Sequence, residues 1–381
     1  PMKGPRSFLG MYSSVNGQQL QCSFLMAHLF EPLRLRGVEL PHRILVSPMC
    51  QYSCTDGLAN DWHLVHLGSR AVGRAAAVFV EATAVTADGR ISPQDMGIWS
   101  DNHIEPLRRI FSFVEEQGSV PAIQLAHAGR KASTAAPWNG GKPLAQREGG
   151  WSPIVAPSTL PFSEGYQMPH ELTRTEIAEI ILAFAAAARR AQAAGAKIIE
   201  LHAAHGYLLH SFLSPLSNRR ADEYGGTFEN RIRMVCEAVA AVREVWPDQY
   251  PLFIRLSASD WVEGGWTVED SVALARLLKT MGVDLFDCSS GGNVPHARIP
   301  LGPGYQAPFA EQVRREAAVP TGAVGMITQS FQADQIIRTG QADVVFLARQ
   351  FLREPYWPLI AAREVGQEIQ WPVQYERAKP K

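Results

Sequence analysis

The stretch TRTEIAEIILAFAAAARRAQAAGAKIIELH (residues 173–202) decides the fold. Thr173 and Glu176 stand three apart as a capping box, and Gly195 is a left-handed stop, so the spacing predicts a helix over 173–194. The apolar run that follows, 197–202, is short and reads as a strand. It is continuous rather than alternating, as expected of a parallel strand covered on both faces.

The same unit recurs in both directions. Strand-like runs stand at 44–49, 76–85, 120–126, 252–257, 284–289, 321–325 and 344–348. Helical patterns stand at 228–245, at 267–281 (stopped by Gly282) and at 328–339 (stopped by Gly340). Eight strands with about as many helices predict an α/β chain forming one (β/α)8 TIM barrel. A doubly wound open sheet is the rival, but no Gly-x-Gly-x-x-Gly follows the first strand. Two connections are long, 127–172 after strand three and 203–227 after strand four, and loops of that length are usually lids or binding loops.

Composition narrows the function. The 381 residues are 46% hydrophobic and 19% charged, a globular balance. Lys+Arg 36 against Asp+Glu 37 gives net −1 with no charge block, which argues against a nucleic-acid partner. No apolar run approaches the ~18 residues of a membrane span. Phe24–Ala27 is a short apolar run broken by His28, too little for a signal peptide. The five cysteines (Cys22, Cys50, Cys54, Cys236, Cys288) are scattered, which excludes a disulfide scaffold or four-cysteine cluster and fits a reducing cytoplasm. Residues 1–25 are polar and aperiodic and read as a poorly ordered extension or expression remnant ahead of a folded unit over 26–381.

Barrel active sites collect at the carboxyl ends of the strands. Read in order, those ends carry Ser47-Pro48-Met49-Cys50-Gln51-Tyr52, Glu81-Ala82-Thr83, Gln124 to Lys131, Glu200 to Tyr207, Arg255, Ser289 to Gly292, Gly325 and Ala348-Arg349. No paired carboxylates are arranged for hydrolysis. The backbone at strands seven and eight suits a phosphate site, with Arg349 adding charge. A flat, hydrogen-bonding cofactor with one phosphate, such as FMN, would use the whole rim.

Several motifs then stand in one order: Pro48-Met49-Cys50-Gln51-Tyr52-Ser53, Gln124-Leu125-x-His127-x-Gly129-Arg130, His202-Ala203-Ala204-His205-Gly206-Tyr207, Ser214 to Asn218, Asp222 to Gly226 and Pro372 to Arg377. Over residues 28–377 the chain resembles the old yellow enzyme family, in its bacterial thermophilic-type branch related to xenobiotic reductase A. The resemblance implies an FMN-dependent ene-reductase that takes hydride from NADPH or NADH, NADPH preferred, and reduces the C=C bond of α,β-unsaturated carbonyl compounds. It implies that Ser47, Pro48, Met49, Cys50, Ala82, Gln124, Arg255, Gly325, Ala348 and Arg349 bind FMN, with Cys50 tuning its potential. His202 and His205 would hold the substrate oxygen, Tyr207 would protonate Cα, and Tyr52 would touch the substrate. Tyr375 and Arg377 would reach the adjacent active site of a homodimer or homotetramer.

Plainer readings stand beside these. Cys50 can be a small buried apolar residue. His202 and His205 can be core histidines or two ligands of a metal-dependent barrel hydrolase, which needs a third. A flavin-binding protein without catalysis is the rival outside enzymes. Arg130 and Lys131 read as rim charges, and 222–226 as a structural loop. Cys54, Cys236 and Cys288 read as structural. Two departures from the family stand out: Ala348 where relatives carry Gly, and Ala221 in place of a hydroxyl residue.

Overall fold

The computed structural model describes residues 28–380. The expected extension 1–25, and Met26 and Ala27 after it, lie outside the described residues. Eight parallel strands close into a barrel: β1 (Ile44–Val46), β2 (Ala77–Ala84), β3 (Val120–Ala126), β4 (Ile198–Ala203), β5 (Leu252–Ser257), β6 (Leu285–Ser289), β7 (Thr321–Val324) and β8 (Val344–Leu347). Each pairs with the next, and β8 pairs with β1. A helix follows each strand in turn: α1 (Asp61–Val72), α2 (Ile104–Glu116), α3 (Arg174–Ala194), α4 (Arg233–Val245), α5 (Val268–Thr280), α6 (Ala307–Ala317), α7 (Ser330–Arg338) and α8 (Trp357–Glu364). The open-sheet rival is therefore excluded.

The decisive stretch folds as read. The Thr173 hydroxyl accepts from Glu176 N, the Glu176 carboxylate accepts from Thr173 N at 2.7 Å, and Gly195 ends α3 at φ +103°. The expected helix over 228–245 is instead two, Phe228–Arg231 and α4, because Ile232 leaves helical ψ at −11°. Four strands stop short of expectation at the carboxyl end, β2 by Val85 alone. Pro48 has no N–H for a ladder, Gly325 turns away at φ +117°, and Ala348 leaves the strand at φ −104°, ψ −94°. The residues that peel off are the rim.

The barrel interior is layered. Phe79, Phe253 and Phe346 pack at ring distances of 6.0 and 5.6 Å near the amino ends, and the Leu33–Leu35/Val38–Leu40 hairpin plugs that end with Leu35 and Leu40. Strand alternation then brings the next inward positions, Gln124, Glu200, Arg255 and Asp287, into a polar layer one step up. The loop over 127–172 folds back over the rim, where Ala128, Ala132 and Ile154 pack with Trp151 and Tyr207. Among the described residues no helix is long and apolar enough to cross a membrane.

Candidate active site

The floor of the site is a buried charge network. Arg255 Nε donates to Asp287 at 2.5 Å, and the same guanidinium lies 3.8 Å from Glu200. Its Nη2 donates to Ser47 Oγ at 2.8 Å, and Gln124 Nε2 donates to Glu200 at 2.7 Å. All five side chains are buried, so Gln124 and Arg255 are not solvated surface groups. One cation faces two carboxyls. Burial, resisted by Arg255, pushes Glu200 up to about 8, and burial likewise raises Asp287. Burial opposes the Arg255 charge, but Asp287 and Glu200 outweigh it and hold the guanidinium protonated. Glu200 Oε2 and Asp287 Oδ1 remain buried without partners.

Above the floor, the end of β4 carries His202, His205 and Tyr207. The His202 ring lies 5.1 Å from that of His205 and 5.0 Å from that of Tyr207, each edge to face. His205 sits at φ +59° and Gly206 at φ +75°, where a Cβ would lie 2.3 Å from Gly292 O. Only glycine makes that turn. His205 N donates to Ser257 Oγ, and its Nε2 shares a 2.7 Å hydrogen bond with Ser289 Oγ. Burial, with each other and Arg255 nearby, pushes His202 well below the ordinary imidazole range, and burial and Arg255 do the same to His205. Both are neutral at neutral pH. Burial, with Cys50 and Tyr52 nearby, pushes the Tyr207 phenol well up, so it keeps its proton. His202 Nδ1 is a buried atom with no partner, which is unusual for a buried polar group.

The β1 rim adds Pro48 to Tyr52. Glu81 sits at a break in β2–β3 register and accepts from Gln51 N at 2.8 Å. Burial, with Asp95 and Glu81 nearby, pushes the Cys50 thiol well up, so it is no thiolate. Tyr52, at φ +48°, sets its ring edge-on to Trp138. Ala82 lines a small hollow beside Tyr207.

These ends open onto a cavity of about 390 Å³. Ser47, Pro48, His205, Arg255, Gly325, Ala348 and Arg349 line it. Sequence reasoning missed Gln306, Tyr305 and Arg353 on the same wall. Gln306 reaches it from the connection after β6, fixed by Ser290 Oγ at 2.7 Å and Val324 O at 2.9 Å. Gly325 lets the backbone pass: a Cβ there would lie 2.7 Å from Gln306 Nε2. Arg349 is exposed and, among the described residues, has no hydrogen-bonded or ionic partner. Met49, Cys50, Ala82 and Gln124 lie around this cavity rather than on its wall, as do His202 and Tyr207. Tyr375 and Arg377 lie in a turn over Val373–Ala378, where Tyr375 meets Tyr356 edge-on at 6.0 Å, and neither lines the cavity of its own chain.

The residues fit FMN. A polar layer with donors at Gln124 and Arg255 suits the edge of a flavin, His202 Nδ1 above it is buried without a partner, and the unpaired Arg349 beside the Gly325 backbone suits a phosphate. The hydrolase alternative does not fit. Among the described residues the grouping able to hold an ion is Cys50, Glu81 and Asp95, and it contains neither histidine.

Residues 28–368 match the model of the NADH:flavin oxidoreductase / NADH oxidase family. The chain is 53% identical over 351 residues to the NADPH dehydrogenase of Geobacillus sp. (strain WCH70), covering 92% of this chain and 98% of that protein. The structure of morphinone reductase superposes with a TM-score of 0.75 at 27% identity, covering 92% of each chain. An old yellow enzyme homologue from Zymomonas mobilis shares the fold, with a TM-score of 0.75 at 23% identity over 93% of this chain and 100% of that one. This is an oxidoreductase whose cofactors are FMN and NADPH, and the chain belongs to the NADH:flavin oxidoreductase / NADH oxidase family.

Proposed function

We propose that this oxidoreductase reduces the activated C=C bond of α,β-unsaturated carbonyl compounds. Bound FMN supplies the hydride, taken from NADPH. His202 and His205 each present a neutral N–H to the carbonyl oxygen, where negative charge grows as hydride reaches Cβ. Tyr207 then gives its proton to Cα from the opposite face. Gln124 and Arg255 bind the flavin's polar edge, and the Arg255 charge favours the reduced, anionic cofactor. Ser47, Pro48, Met49 and Ala82 pack along it, and Cys50 contacts it as a neutral thiol. Gly325, Ala348 and Arg349 take the phosphate. Tyr52 touches the substrate. Tyr375 and Arg377 serve the active site of a neighbouring copy in a homodimer or homotetramer, a reading supported by their absence from the cavity wall of their own chain. The folded unit spans 26–381 and works in the cytoplasm, as the unpaired Cys50, Cys54, Cys236 and Cys288 favour.

One observation carries the reading: the buried His202, the half-buried His205 and the protonated Tyr207 phenol share one corner. That corner suits an oxygen that becomes negative and a carbon that must be protonated. The test is anaerobic. NADPH should bleach the flavin, and 2-cyclohexen-1-one should restore its absorbance with a rate that rises with enone concentration. Reoxidation no faster than in buffer overturns the reading.

A further inference from the structure

Lys131 does not behave as the rim charge its sequence position suggests. It closes the Gly129–Lys131 turn after β3, and Nζ donates to the carbonyl oxygens of His205 at 2.9 Å and Gly292 at 3.0 Å. The ammonium stands over two rings, 4.5 Å from the centre of Phe162 and 5.2 Å from that of Tyr207. Among the described residues no carboxylate lies within ion-pair distance of it, and no other cation stands over the Tyr207 ring. Burial, with Arg130 beside it, lowers Lys131 to about 8. A half-buried cation without a counter-ion is unfavourable in itself, and Phe162 covers one side of it.

Tyr207 has the complementary difficulty. Burial, Cys50, Tyr52 and Asp95 all disfavour its anion. That secures the proton before reaction and opposes its release during reaction. A positive charge over the ring favours phenolate over phenol, because the anion spreads charge onto the ring face.

We propose that Lys131 is the positioning residue of the proton-transfer step, its ammonium holding the His205 carbonyl and stabilising the Tyr207 phenolate. In that step the Tyr207 O–H bond breaks, its electron pair stays on the phenolate oxygen, and a C–H bond forms at substrate Cα. Water returns the proton to Tyr207 before the next cycle. The inference rests on Tyr207 being the donor.

The test uses the FMN-loaded enzyme and four variants: Lys131→Met, Lys131→Gln, Tyr207→Phe and the Lys131→Met/Tyr207→Phe pair. Gln keeps N–H donors for the two carbonyls without the charge, and it also serves if the Met variant fails to fold. Reoxidation by 2-cyclohexen-1-one should slow about 10- to 100-fold in both single Lys131 variants. Flavin bleaching by NADPH should stay within about twofold, and so should the affinity for 4-chlorophenol, whose oxygen reports the imidazole pair. In the Tyr207→Phe background the Lys131 change should add nothing, the signature of one shared step. A Gln variant as fast as the unaltered enzyme overturns the proposal, as does a Lys131 effect that persists without the Tyr207 hydroxyl. A Tyr207→Phe enzyme that reoxidises normally overturns the donor assignment itself, which is a separate failure.

Discussion

The two ends of the cavity solve opposite electrostatic problems. At the β7–β8 end, Arg349 is exposed and unpaired, and Gly325 leaves bare backbone. At the β3–β5 end, Gln124, Glu200, Arg255 and Asp287 are buried and bound into one network, with His202 buried above them. A phosphate is permanently charged, so a wet rim can hold it with an unshielded cation and little desolvation. The charge on a substrate oxygen exists only during reaction. Water would answer that charge by reorienting after it forms, whereas fixed N–H dipoles in a dry corner stand ready beforehand. On the proposed function, the difference teaches that binding here tolerates solvent and chemistry does not.

Breaking the closed end at its floor should have the largest effect. Arg255→Met leaves Glu200 and Asp287 buried without their cation. Removing one partner of such a network costs about 3–5 kcal/mol. Urea unfolding of the apo-protein should show that loss, with weakened FMN binding. A midpoint unchanged from that of the unaltered chain would mean that the two carboxyls are simply neutral and the network adds no constraint.

Next is the corner above the floor. His202→Ala and His205→Ala should each slow enone reoxidation by about 10²- to 10³-fold, the usual effect of deleting one oxyanion donor. NADPH bleaching should change far less, because no oxygen becomes anionic in that half-reaction. Equal slowing of both halves would make the imidazoles cofactor supports and erase the division of labour between the two ends.

The open rim should respond more mildly. Arg349→Ala should weaken FMN binding by about tenfold, as loss of one solvated charge contact of roughly 1.4 kcal/mol does. The effect should shrink in 0.5 M salt, which screens an exposed charge. Arg255→Met should show no such salt relief. A salt-independent Arg349→Ala defect would mean that its guanidinium is desolvated once the cofactor is in place, and the contrast between the ends would fall.

How far each end was legible follows from how it is built. The floor residues sit within strands, where alternation alone puts Gln124, Glu200, Arg255 and Asp287 on one inward layer. His202, His205 and Tyr207 sit on one short segment whose glycine betrays the turn. Gln306 and Lys131 come from irregular connections. Gln306 arrives after a Gly- and Pro-rich passage with no period, so nothing local aims it inward. Arg130-Lys131 looks like any basic pair on a loop. Its burial depends on Phe162, 31 positions further on, folding back over it, and no pattern around Lys131 encodes that. Strand ends were misread for a related reason: apolar composition continues through Ser47-Pro48-Met49, while the missing Pro48 N–H ends the ladder.

The smallest effect lies in pH, and it tests whether the closed end owes anything to a titrating charge. Lys131 is lowered to about 8 by burial and by Arg130 beside it. The charged and titratable groups facing it are Arg130 from its own turn and His205 and Tyr207 from the loop after β4. Both histidines are pushed well below 6.5 and Tyr207 well above 10, so none of them changes state between pH 7 and 9. As pH rises through 8, Lys131 loses its proton and the phenolate loses its cation. Enone reoxidation should therefore fall several-fold between pH 7 and 9, while Lys131→Met should be slow and flat across that range. Stability should move the other way. The unfolded chain holds this proton up to about 10.4, so between about 8 and 10.4 it binds more protons than the folded chain, and this group alone makes stability rise with pH. A profile that falls equally in Lys131→Met would assign the limb to another group, Glu200 foremost, since it too is pushed to about 8. Glu200→Gln separates the two: the limb should survive that change if Lys131 is its source.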